Sequence, residues 1–265
     1  SFEYKEPDPK VKGSEHEVSV KPIFVGSMFA TLENADYNLL MSATLSAQYA
    51  NRTLELPNST LIKLPPTFPK ENKKVVFFNP QNLNYNSLKN PEIVDRLKKS
   101  CASIVKYHLN KNERGIVLTP SFVLNEMMAD ALKKLDVKLF EQRRGEPLAE
   151  LVKAFRNHEG LAVMLTPSGF EGLDLAGDLS RFQVLVKAPF GSLGDARTKE
   201  ILNRYPDIYQ LTTIMKIVQG AGRSVRSAED YATTYILDTN VQRLWTSKEM
   251  VWGDEFETTY KAFLE

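Results

Sequence analysis

Short apolar runs alternate with longer amphipathic stretches along this chain. The alternation predicts a parallel sheet whose strands are joined by crossover helices. Strands are predicted over residues 37–41, 74–78, 115–119, 137–140, 161–166, 182–187 and 231–237. Several of these runs are continuously apolar, as in strands covered on both faces. Helices are predicted over 91–109, 121–135, 148–155 and 208–220, with a last one near 256–263. Within 208–220 the apolar residues fall at 208, 211, 214, 215 and 218, which line one face of a helix. Pro65, Pro66 and Pro69 are incompatible with a helix or a central strand and set a boundary near residue 66. Residues 1–66 hold one convincing strand, too little for a core of their own, and read as the tail of a first domain. Residues 67–265 lie beyond that boundary and hold the rest of the predicted α/β pattern.

Composition narrows the function. The chain has 265 residues, 42% hydrophobic and 25% charged, which suits one large or two modest globular domains. A formal net charge of +1 means that any contact with a polyanion must come from a local patch or from backbone amides. The single Cys101 excludes an internal disulfide and a four-cysteine metal site within this chain. His16, His108 and His158 lie far apart without ligand-like spacing, so no metal site is expected. No apolar run approaches the roughly 20 residues of a membrane span, and the first residues do not resemble a signal peptide. A cytoplasmic protein, with no membrane partner, is the expectation. The chain does not begin with Met and reads as a processed or excised piece.

The densest chemistry lies in Gln219-Gly-Ala-Gly-Arg-Ser-Val-Arg226. Gln219, Arg223 and Arg226 stand at spacings of four and three, so a helix would project all three from one face. Two guanidiniums and an amide make a donor cluster suited to a phosphate. Gly220 and Gly222 between them allow another surface to approach the backbone. Taken alone, the cluster also fits a solvated basic face neutralised by Glu229 and Asp230.

Three further loops follow predicted strands at their carboxyl ends, the edge where open parallel sheets bind ligands. Ser42-Ala-Thr44-Leu offers two hydroxyls, as a turn with a cap or as a hydrogen-bonding edge between domains. Thr119-Pro-Ser121 ends a strand and starts a helix, with Ser121 placed as the N-cap. The loop from Thr166 through Ser168, Glu171, Gly172 and Asp174 to Asp178 has three glycines and no Lys or Arg. Its carboxylates suit a ribose hydroxyl, a water or a basic side chain rather than a phosphate. The dipeptide Gly-Lys occurs nowhere, so there is no Walker A loop. Asp254-Glu255 follows a glycine rather than an apolar strand and does not read as a Walker B pair. A phosphate sensor without a nucleotide cradle implies that another domain holds the nucleotide.

In their order these loops resemble motifs III to VI of superfamily-two helicases, in the DinG and XPD branch. Met41-Ser-Ala-Thr-Leu45 resembles motif III and Gly115-Ile-Val-Leu-Thr-Pro-Ser-Phe122 motif IV. Gly169-Phe-Glu-Gly-Leu-Asp-Leu-Ala-Gly-Asp178 resembles motif V, and Gln219–Ser227 motif VI. Glu229–Asp238 and Lys187-Ala-Pro-Phe190 are similar to that branch's segments around motif VI. The resemblance spans roughly residues 20–240. Pro167 and Ser168 depart from it, standing where the branch often carries bulkier residues. It gives no guide to residues 241–265, where Trp245 and Trp252 read as core or interface residues.

The resemblance implies a RecA-like parallel sheet flanked by helices, preceded by a remnant of the first motor domain. It also implies that ATP and Mg2+ sit mainly on that upstream domain of the same polypeptide, and that any iron–sulfur cluster lies outside this chain. Gln219, Arg223 and Arg226 are implied to approach ATP, the arginines as γ-phosphate sensor and finger. Glu171, Gly172, Asp174 and Gly222, with Ser42 and Thr44, are implied to bind nucleotide or couple its state to the rest. Thr119, Ser121, Thr166 and Ser168 are implied to contact single-stranded DNA through hydroxyls and backbone amides. The implied activity is ATP-driven 5′ to 3′ translocation on DNA with duplex unwinding, this half alone being inactive as an ATPase. An RNA helicase, a duplex translocase, or an inert RecA-like binding module for nucleic acid or protein stays open beside it.

Overall fold

The structure, a computed structural model, describes residues 2–6, 16–24, 36–42, 44, 47–55, 60–62, 64, 68–170, 173–222 and 224–248. It divides into two compact units, Ser1–Lys63 with Phe190–Thr213, and Leu64–Pro189 with Ile214–Glu265. The expected helix near 256–263, Trp252, Asp254-Glu255 and Pro65–Pro66 lie outside the described residues.

In the first unit, β1 (Phe2–Lys5) and β2 (Glu17–Val20) pair antiparallel. Helix α1 (Ala47–Thr53) follows, and α5 (Ala196–Arg204) belongs to the same unit. Arg197 ties α5 to the N-terminal segment, donating to the carbonyls of Pro22 (2.6 Å) and Ile23 (3.0 Å). Asp195 caps α5, accepting from the Thr198 N–H at 2.8 Å and from Lys21 at 3.1 Å. The expected strand over 37–41 is absent. Tyr37, Leu39 and Met41 are exposed, and the segment has no ladder partner among the described residues. A strand exists only against a neighbour, and no described strand runs beside this one.

The second unit carries the sheet. Its six strands are β3 (Lys73–Gln81), β4 (Gly115–Leu118), β5 (Lys138–Glu141), β6 (Ala162–Thr166), β7 (Phe182–Leu185) and β8 (Ala232–Asp238). They run in the order β3-β8-β7-β4-β6-β5, and every pairing is parallel. Parallel strands turn all their backbone toward neighbours and must be covered on both faces. Helices α2 (Pro91–Leu109) and α3 (Phe122–Leu132) cover one face. Leu97, Cys101, Val105, Leu124 and Met128 pack there with Val117, Val163 and Val184. Side chains alternate along a strand, so Leu118 and Phe140 point to the other face. Phe140 meets Phe155 of α4 (Leu148–Asn157) edge to face, centroids 5.6 Å apart. Leu118 lies under Gly220 of α6 (Pro206–Ala221).

Local signals set several boundaries. Helix α2 keeps its predicted span because Asn90 accepts the Glu92 N–H at 2.9 Å and Pro91 opens the first turn. In α6 the buried large apolar side chains are those of residues 208, 211, 214 and 217, while Met215 and Val218 are only partly buried. After β8 comes α7 (Thr239–Lys248), with Trp245 buried as a core residue. His108 is also core. Its Nδ1 lies 2.5 Å from Glu113 and its Nε2 3.0 Å from the Tyr235 hydroxyl. Burial pushes its pKa below the ordinary value despite the carboxylate. Burial likewise pushes the Cys101 thiol up to about 12, leaving it protonated and unreactive.

Candidate functional site

The described predicted residues of the second unit fall into two groups at different ends of the sheet. At the carboxyl ends of β4 and β6, Thr119 and Thr166 are fully buried, and the Thr119 N–H donates to the Thr166 carbonyl at 3.2 Å. The Thr119 hydroxyl donates to Asn125 Oδ1 at 3.0 Å, and Asn125 Nδ2 donates to the Gln142 carbonyl at 3.2 Å. The Thr166 hydroxyl donates to Gln142 Oε1 at 2.5 Å and accepts the Ser168 N–H at 3.0 Å. These two hydroxyls are therefore consumed inside the protein, shaping the loop ends. Ser121 and Ser168 are exposed, and Ser121 caps α3 by accepting the Leu124 N–H at 3.3 Å.

Sequence reading missed Asn125 and Gln142, whose partners lie far away in the chain. It also missed Arg143 and Arg144, exposed on the loop after β5 at this same edge. Arg144 lies over the Phe122 ring at 5.3 Å. The dipeptide of two arginines following a predicted strand was the available signal.

Arg226 is delivered differently from expectation. Helix α6 ends at Ala221, with the Gly222 N–H still donating to Val218 at 3.1 Å. Val225 then turns into the core, and the Arg226 N–H donates to Asp230 Oδ2 at 3.0 Å. Arg226 thus stands beyond the helix rather than on one helical face with Gln219. Gln219 is on the last turn, partly buried. Arg223 lies outside the described residues. A Cβ on Gly220 would come 3.2 Å from Phe170 and 3.6 Å from Leu118, so the close approach allowed here is to the protein's own core. A Cβ on Gly222 would meet only helix carbonyls at 3.5 Å or more.

The Arg226 guanidinium donates through Nε to Asp174 Oδ1 at 3.2 Å. The same carboxylate faces Arg156 Nη2 at 3.6 Å, and Arg156 also donates to the Asp174 carbonyl. Asp178 accepts from Arg181 at 2.7 Å, and Arg181 lies 3.6 Å from Asp230. Of the three partners open to the loop's carboxylates, the structure supplies the basic side chain. Glu171 and Gly172 lie outside the described residues. The two pairs on Asp174 are half-exposed, so their geometry orients the arginines more than it stabilises the fold, whereas Arg181 and Asp230 are largely buried together. Arg181 directly precedes β7 and Asp230 stands two residues before β8, which puts this group at the amino ends of those strands.

A third cluster was not read from the sequence. Asp238, at the end of β8, is fully buried and accepts from the Ala188 N–H, the Asn240 N–H and Asn240 Nδ2, each at 2.9 Å. A longer contact, 3.4 Å, comes from the Leu83 N–H. Burial pushes its pKa above the ordinary value, against the pull of these donors, and pushes the nearby Lys187 down. In the first unit, Ser42 is exposed and its hydroxyl accepts the Thr44 N–H at 3.3 Å, a local turn; Thr44 is partly buried.

A six-stranded parallel sheet, covered on both faces and carrying an arginine beyond its last crossover helix, defines a RecA-like motor domain. Residues 104–252 match the model of the helicase C-terminal domain, more than half the chain, and the chain belongs to that family. Among solved structures it is similar to S. tokodaii Xpd4, at 17% identity and a TM-score of 0.56, covering 91% of this chain and 48% of that one. It is also similar to an XPD helicase, at 16% identity and a TM-score of 0.61, covering 90% and 45%. An apo XPD structure matches at 16% identity and a TM-score of 0.62, covering 89% and 51%. The shared fold is that of XPD structures, and the chain spans about half the length of those it matches.

Proposed function

We propose that this chain is the C-terminal motor half of an ATP-dependent DNA helicase, residues 1–66 being the end of the first motor domain. In this reading ATP hydrolysis drives 5′ to 3′ translocation on single-stranded DNA and duplex unwinding. One observation carries it. The loop 166–178 begins among the buried hydroxyls at the carboxyl ends of β4 and β6 and reaches Arg226 through Asp174. A single segment therefore meets both the edge suited to a nucleic acid and the cation suited to a phosphate.

The chemistry follows from what Arg226 already does. Its guanidinium is half-exposed and rests on one carboxylate, Asp174. A γ-phosphate, with more charge and three acceptor oxygens, competes for the same donors. Transfer of Arg226 from Asp174 to the phosphate removes one of the two arginines on Asp174 and leaves the loop 166–178 to Arg156. A finger so placed accelerates phosphoryl transfer by about 10³–10⁵. Gln219, Arg223 and Gly222 belong to the same approach, and Glu171 and Gly172 to the loop that responds. Ser42 and Thr44 transmit closure of the two motor domains.

At the other edge Ser121 and Ser168 face the DNA backbone, joined by Arg143 and Arg144, while the buried Thr119 and Thr166 shape the loop ends that carry them. ATP and Mg2+ sit mainly on the first motor domain. The described residues include no group of three acidic, His or Cys side chains fit for a metal, and the Arg226 donors would repel one, so no step here passes through Mg2+. No described helix is long and apolar enough to cross a membrane. We place the protein in the cytoplasm, free of membrane.

Unwinding of matched DNA and RNA duplexes by the full-length protein tests the substrate. ATP-dependent opening of DNA with a 5′ single-stranded tail is expected. Equal or better opening of RNA, or none of either, contradicts the proposal. Purified alone, this chain should show no ATP turnover, and turnover by it would contradict the shared site.

A further inference from the structure

The segment that delivers Arg226 is tied at three points. Gln183 Nε2 donates to the Ala221 carbonyl at 2.6 Å, Ser224 Oγ donates to Ser180 Oγ at 2.7 Å, and Asp230 holds the Arg226 N–H at 3.0 Å. Of these only the Gln183 tie reaches from within a strand, β7, and it meets the helix at its last residue. The final carbonyls of a helix have no donor in their own helix and take one from outside.

Gln183 is fully buried, and its Oε1 meets no donor among the described residues. The Ala221 carbonyl fixes which end of the amide faces it, because the reversed amide would set two oxygens together. A buried acceptor without a donor destabilises a fold. An unbranched apolar side chain of similar length would remove that cost while leaving the Ala221 carbonyl unmet in its place, so the two changes offset. Packing alone gives no reason for an amide here; aiming the end of α6 does.

We propose that Gln183 is a positioning residue for Arg226. Its amide sets the point and direction at which the chain leaves α6, and so where the guanidinium meets the transferring phosphoryl group. The inference rests on the motor reading above. It predicts a separation of stability from catalysis at a residue outside every helicase-like motif in the chain.

The test is steady-state, DNA-stimulated ATPase of the full-length protein as wild type and Gln183→Met, with thermal unfolding of both. The variant is expected to unfold near the wild-type temperature, because the lost bond to Ala221 offsets the removal of the unmet oxygen. Its kcat should fall roughly ten- to a hundredfold, the scale of a misplacement of about 1 Å. KM for ATP should hold, as when an interaction used only in the transition state is lost. Wild-type kcat in a stable variant overturns the proposal, as does a rise in KM with kcat intact. If Gln183→Met unfolds, Gln183→Leu is measured the same way, and loss of the fold in both makes the amide structural and overturns it too. Absence of turnover in the wild type refutes the motor reading itself, and the inference falls with it.

Discussion

Replacing Asp238 by alanine tests whether its carboxylate fastens the loops at the carboxyl end of the sheet. Its oxygens accept from the Ala188 and Asn240 N–H groups at 2.9 Å, and the Leu83 N–H stands farther away at 3.4 Å. These residues follow β7, β8 and β3, three neighbours in the sheet. Alanine leaves two well-formed backbone donors without acceptors, one buried and one part-buried, at about 1–3 kcal/mol each. Relief of burying a carboxylate takes back part of that cost, so the net loss is about 2–4 kcal/mol. For a chain of this size that lowers the unfolding temperature by roughly 5–15 °C. Asp238→Asn should lose less, since one oxygen remains for Asn240 while its NH2 faces the Ala188 N–H donor to donor.

The charge has its own signature. Burial raises the folded pKa of Asp238 above the ordinary 3.8. Its linkage contribution is therefore fully present below 3.8 and is lost as pH rises through the folded value. Asp238→Asn should remove that slope. Urea and thermal unfolding across pH read both effects. An alanine variant within about 0.5 kcal/mol of wild type, the range of an ordinary surface substitution, would refute the reasoning.

Two further substitutions probe other links. Gly115→Ala would set a Cβ 2.4 Å from the Phe182 carbonyl and 2.5 Å from its ring, in the adjacent paired strand. A loss of about 1–3 kcal/mol or more is expected in urea unfolding, and a neutral result would mean that the two strands part more easily than close packing allows. Asp195→Ala removes the cap of α5 and should cost about 1 kcal/mol. Hydrogen bonds from Thr198, then Lys21, hold the Asp195 carboxyl at about 2, so its contribution is present above 3.8 and lost as pH falls toward 2. The difference between wild type and this variant should shrink below about pH 4, and a difference that stays level through acid would contradict the assignment.

What was legible in the chain was its buried periodicity. The six strands of the large sheet each hold a short apolar run and all six were marked, most cleanly β4, β6 and β7, where burial on both faces leaves every residue buried. Helix α2 was legible to the residue, since Asn90-Pro91 states its start chemically. Helices α5 and α7 were not, being short and mostly polar, with α5 burying no side chain fully. The run at 37–41 misled because apolarity marks surface that seeks a partner, not a partner already found. At the site, sequence spacing located Arg226 but not its setting. The helix ends before it for reasons held elsewhere in the chain, at Gln183, Ser180 and Asp230. Gln142 and Asn125 were invisible for the same cause, their contacts spanning 17 to 24 residues of loop and strand.

The most direct test of the account is steady-state ATPase of the full-length protein, with and without single-stranded DNA, as wild type and Arg226→Ala. The account predicts turnover that DNA stimulates and that the substitution lowers by about 10³-fold or more, with folding intact. DNA-stimulated turnover that survives in Arg226→Ala would contradict it, and a wild type without turnover under either condition would leave this chain a binding module rather than half of a motor.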